Sequence, residues 1–94
     1  MIQRDGERLV VSGAVTLANV GELLEEGRRQ IAEGAQIVDL AQVGEMDSAL
    51  LALLLAWLRE ALARNASLRF ANAPESLLTI ARLYGVDDLL TLSS

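Results

Sequence analysis

The chain has 94 residues, a net charge of −5, and no cysteine or histidine. That length gives one domain with one core, and the charge repels nucleic acid and anionic membrane surfaces. Without Cys or His there are no disulfides, no zinc sites of the usual ligand types, and no serine or cysteine nucleophile served by an imidazole.

Hydrophobic residues make up 52% of the chain, with only one each of Phe, Trp and Tyr, so the core has to be aliphatic. Met1-Ile2-Gln3-Arg4-Asp5-Gly6 turns polar too early for a signal peptide. The longest apolar run, Ala49 to Leu58, is ten residues, about half of what a membrane span needs. These features predict a soluble cytosolic chain with no direct membrane insertion.

Asp5-Gly6 is a turn signal between Met1–Arg4 and Arg8–Ser12 and predicts an opening hairpin. Thr16 is placed to cap a helix starting at Leu17. Leu17, Val20, Leu23, Leu24, Gly27 and Ile31 fall on its inner face; Glu22, Glu25, Arg28 and Arg29 point outward. Gly34 ends it. Gln36–Leu40 reads as a buried strand, Ala41–Asp47 as a loop, and Ser48 to about Arg64 as a second helix. Asn65 follows at a position that tolerates left-handed backbone. Ser67–Ala71 alternates like a strand. Pro74 suits the first turn of a third helix running to Tyr84 and stopped by Gly85. Asp87–Ser94 reads either as an edge strand at Leu89–Leu92 or as one more helical turn. The order β-β-α-β-α-β-α predicts a single α/β domain over residues 1–94, with a mostly parallel mixed sheet covered by helices.

The second helix carries the functional expectation. Leu51, Leu54, Leu55, Leu58 and Leu62 cluster on one side, predicted to face the sheet. Ala49, Ala52, Leu53 and Ala56 lie opposite, and Leu50, Leu53 and Trp57 share a flank. Arg59, Glu60 and Arg64 give the later turns a solvated face, which the first turns lack. Alanines let a partner backbone approach and an aromatic anchors it, so this end is expected to dock another protein. The competing reading makes Trp57 a core residue and the alanines ordinary helix formers.

Asp47 or Ser48 caps this helix. A hydroxyl at a helix N-terminus also sits where a phosphate is tolerated, so Ser48 is a candidate contact or phosphorylation switch. It has no evident base, and catalysis is not expected of it. Asp39, at a strand end, either caps the loop or meets a partner. Asp87 and Asp88 read as a solvated cap and not as a metal pair. Gly44 stands alone, without the glycine-rich loop of a nucleotide site. No metal or cofactor is called for.

Ile37-Val38-Asp39-Leu40, the Met46-Asp47-Ser48 junction, Leu51, Leu53 and Leu54, and the late Ala81-Arg82-Leu83-Tyr84-Gly85 segment resemble the STAS domains, typified by bacterial anti-sigma-factor antagonists. The short length, the Asp39-Leu40-Ala41-Gln42-Val43 run and Leu83-Tyr84 are most similar to the branch that serves Mla phospholipid ABC transporters. The resemblance implies a non-enzymatic cytoplasmic subunit, peripheral to the inner membrane. It would bind the transporter ATPase subunit and, through it, the membrane permease. It also implies that Ser48 matches the family's interface hydroxyl, the phosphorylated serine of the sigma-regulating branch. The alternative implied function is accordingly a phospho-switched antagonist of a serine-kinase anti-sigma factor. Many STAS domains have glycine two residues after that serine; here Leu50 makes the surface bulkier.

Overall fold

The computed structural model describes residues 1–92. In chain order the elements are β1 (Ile2–Asp5), β2 (Arg8–Val15), α1 (Val20–Ala32), β3 (Ile37–Met46), α2 (Ser48–Ala63), β4 (Arg69–Ala71), α3 (Glu75–Leu83) and α4 (Asp87–Leu90). They form one α/β domain around a four-stranded sheet of order β1-β2-β3-β4. β1 runs antiparallel to β2, with Gly6 at φ +63 in the connecting turn; β2, β3 and β4 are parallel neighbours. The predicted hairpin, mixed sheet and element order are therefore present. The tail resolves as the helical turn α4, while Ser93 and Ser94 lie outside the described residues.

Two-residue alternation sets the sheet's faces. Leu9, Val11, Val38, Leu40 and Phe70 are buried and join the core with residues of α1, α2 and α3. Arg8, Val10, Ile37 and Asp39, on the other face, are only half-buried.

Several boundaries differ from the sequence reading: β2 runs on to Val15 and β4 begins only at Arg69, and three further changes concern α1, β3 and α3. Helix α1 begins at Val20, not Leu17. The side-chain oxygen of Asn19 accepts the Thr16 N–H at 2.9 Å, and its amide donates to the Ala14 carbonyl at 2.8 Å. This folds Thr16–Asn19 into a turn and leaves Leu17 80% exposed. Strand β3 continues through Met46, across the stretch read as a loop. Val10 to Ser12 of β2 stands opposite Asp39 to Gln42 of β3, and Gly13 to Val15 opposite Val43 to Met46. Each step gives β3 one extra residue. Such bulges break the period-two pattern while the pairing continues. Pro74 precedes α3 at its N-cap position instead of lying in its first turn.

The face of α2 also needs correction. Its buried residues are Ala49, Leu50, Leu51, Leu53, Leu54, Trp57 and Ala61. Leu55 and Leu58 are half-buried, and Leu62, predicted to face the sheet, is 63% exposed. A helix packed on the sheet alone would bury one stripe. This one is central, touching α1 on one side and α3 and α4 on the other. Trp57 sets the rotation. It is fully buried, and its Nε1 donates to the Leu24 carbonyl at 3.2 Å. Its ring lies against Gly27 of α1, where a Cβ would come within 2.1 Å of Trp57 Cε2. Only glycine admits the indole there.

Candidate functional site

Asp47 is the N-cap of α2. One carboxylate oxygen accepts the Ala49 N–H at 2.8 Å and the other accepts the Leu17 N–H at 3.1 Å. A single side chain thus caps the helix and holds the β2–α1 turn beside it. Ser48, the first residue of α2, is exposed, and its hydroxyl makes no hydrogen bond among the described residues. The capping duty falls on Asp47 and leaves Ser48 available.

Of the residues expected to form an uncovered surface, Ala52 is exposed and Ala56 half-exposed. Ala49, Leu50, Leu53 and Trp57 are buried, at 8%, 0%, 1% and 0% exposure, which corrects the expectation of a surface there. Leu50, Leu53 and Trp57 fill the space among α2, α1 and the sheet and are not surface anchors in this structure. Leu53 touches the outside only through the wall of a groove. That groove, 160 Å³ and almost wholly apolar, runs between α1 and α2 and is lined by Val20, Gly21, Leu24, Ala52, Leu53 and Ala56.

Sequence reasoning missed three members of this surface. The sequence reading puts Leu17 and Val20 on the inner face of α1 and gives Gly21 no role, yet Leu17 and Gly21 are exposed and Val20 borders the groove. The signal was available in Asn19. A helix begun after Asn19 leaves Leu17 in the turn before α1. The candidate surface is Ser48, Ala52 and Ala56 along one ridge, the groove beside it, and Leu17 at its head.

Asp39 is structural. Its carboxylate accepts from Asn72 Nδ2 at 3.0 Å, from the Ala41 N–H at 3.0 Å and from Arg8 Nη1 at 2.9 Å. It therefore joins β2, β3 and the segment after β4. These bonds, the Asn72 amide first, then the Ala41 N–H and then Arg8, hold its pKa below the ordinary aspartate value against the opposing effect of burial. Its pKa is lower folded than unfolded, so its stabilisation is complete above the unfolded value and fades as pH falls through the folded one. Asp39→Ala is expected to cost about 2 kcal/mol at neutral pH. In urea titrations, the gap from the unsubstituted chain should narrow below the ordinary value of 3.8. A gap independent of pH would contradict this assignment.

Asp87 and Asp88 lie in the first turn of α4. Among the described residues no group of three or more carboxylates converges on a common point, and no helix is long and apolar enough to cross a membrane.

A family model described as "Mlab, STAS domain" matches residues 1–91. The chain belongs to the STAS domain family. Its structure matches the MlaB subunit in the Acinetobacter MlaFEDB complex in the ATP-bound Vtrans2 conformation, with TM-score 0.84 and 30% identity over 99% of this chain and 100% of that one. The same complex in the ATP-bound Vtrans1 conformation matches with TM-score 0.78 and 30% identity, over 92% of this chain and 93% of the other. The unphosphorylated anti-sigma-factor antagonist SpoIIAA shares the fold, with TM-score 0.66 and 17% identity over 98% of both chains. No curated protein sequence matches the chain. At the start of α2 the chain has the Asp47-Ser48 junction, with Ser48 exposed.

Proposed function

We propose that this chain is a non-enzymatic regulatory or assembly subunit of an Mla-type phospholipid ABC transporter. It binds the ATPase subunit through the start of α2, centred on Ser48, Ala52 and Ala56 with Leu17 beside them. Through that subunit it meets the membrane permease, and it lies on the cytoplasmic side, peripheral to the inner membrane. The observation that carries this reading is the end-to-end match, at 30% identity, to the MlaB subunit of an ATP-bound MlaFEDB complex. The exposed Ser48 hydroxyl, relieved of capping by Asp47, supports its location.

Substitution at Ser48 tests it. Ser48→Asp suits a helix first turn and leaves the fold intact, but it sets a third carboxylate close to Glu45 and Asp47. Affinity for the purified ATPase subunit, read by calorimetry, is expected to fall at least about tenfold, which is about 1.4 kcal/mol. Ser48→Ala is expected to weaken binding by less. Unchanged binding with both variants would remove Ser48 from the interface. Tight binding of Ser48→Ala to a serine kinase, with release by Ser48→Asp, would instead support the phospho-switched antagonist.

A further inference from the structure

The ridge of α2 continues past the apolar groove into a charged one. Ser48, Ala52, Ala56 and Arg59 follow one another at helical spacing along the same side. Leu24 and Ala56, which wall the apolar groove, also border a 270 Å³ hollow with Arg28, Arg59 and Glu60. The two spaces form one trough between α1 and α2, greasy at its head and polar at its foot.

The foot is cationic on a chain of net charge −5. Glu60 is held by Arg28 at 3.1 Å and by Arg64 at 2.6 Å, and Glu25 pairs with Arg28 at 3.4 Å. Arg59 is exposed and forms no ion pair among the described residues. Three guanidiniums thus face two carboxylates there. The head of the trough has the opposite sign, with exposed Glu45 and Asp47 beside Ser48.

We propose that the trough receives an amphipathic helix of the ATPase subunit in one direction only. Its aliphatic side chain enters between Gly21 and Ala52, and its Asp or Glu side chain reaches Arg59. This deepens the function proposed above and rests on it. Gly21, Ala52 and Ala56 present almost no side chain, so a helical backbone can come close. Arg59 lies seven residues beyond Ala52, about 10 Å along α2. The partner's acid therefore sits about two turns from its apolar anchor. The reverse direction would bring that acid to Glu45 and Asp47, where like charges repel.

The test measures binding of the purified ATPase subunit to the whole chain by surface plasmon resonance. Arg59→Glu reverses an exposed, unpaired charge, and its thermal melt serves as a folding control. It is expected to weaken binding at least about tenfold, mainly through slower association, and to flatten the salt dependence. Arg59→Lys should keep most of the affinity. An acid-to-arginine change in the partner helix should restore binding to Arg59→Glu. If Arg59→Glu binds like the unsubstituted chain while Ala52→Arg does not, the acidic-helix inference is overturned and the docking reading stands. If the unsubstituted chain does not bind the ATPase subunit, the docking reading itself is overturned.

Discussion

Replacing Trp57 by alanine is expected to destabilise the fold by about 4 kcal/mol. That is a large share of the roughly 5–15 kcal/mol available to a domain. The indole is fully buried, donates to the Leu24 carbonyl, and rests where Gly27 has no side chain. Its removal empties the junction of α1 and α2, and neither helix can collapse into the gap without disturbing the core that Leu50 and Leu54 help to fill. Urea unfolding should show a lower midpoint with little change in slope. Gly27→Ala attacks the same contact from the other side. Alanine is the better helix former by about 1 kcal/mol, but its Cβ would sit 2.1 Å from Trp57 Cε2, so the net effect should be destabilising. Trp57→Phe should make Gly27→Ala less costly, a coupling that a double-mutant cycle reads directly. A Trp57→Ala chain as stable as the unsubstituted one would contradict the packing described.

This result bears on any binding measurement. Weak binding by Trp57→Ala would follow from an unstable fold and would say nothing about a contact surface. The residue to change is Ala52. Ala52→Arg is expected to leave stability within about 0.5 kcal/mol, because the position is exposed and arginine is a good helix former. The long side chain would lie across the 160 Å³ groove and block any backbone that needs to approach. Affinity for the ATPase subunit should fall on the order of a hundredfold, about 2.7 kcal/mol. Thr79→Arg, exposed on α3 and so away from the trough between α1 and α2, is the control and should bind normally. Undiminished binding by Ala52→Arg would place the partner elsewhere on the domain.

Much of the fold was legible because each element carries a local signal. Asp5-Gly6 marks the hairpin, Gly34 and Gly85 end helices with positive φ, and the strand-helix alternation gives the mixed sheet. The misreadings have a common cause: a contact between segments distant in sequence overrode a local pattern. Thr16 and Asn19 are equally good helix starts as letters, and the bond from the Leu17 N–H to Asp47, from a segment far along the chain, holds the turn that decides between them. The second half of β3 loses its alternation at two bulges, which exist because β2 lies alongside. For α2, periodicity correctly showed an apolar excess. It could not show that α1, α3 and α4 would absorb most of it, leaving Ala52, Ala56 and, further along, Leu62 uncovered. The serine at the site was visible from sequence; Leu17, Gly21 and the groove needed the packing of α1.

The pinning of α1 to α2 has a thermodynamic corollary. The indole seated on Gly27, the Leu24 carbonyl bond and the Arg28–Glu60 pair together fix the separation of the two helices. A cleft with such walls is preorganised, so a guest entering it spends little of its interaction energy on ordering the host. Association should then proceed as near rigid-body docking, with the heat-capacity change of buried apolar surface and without the large entropic penalty of coupled folding.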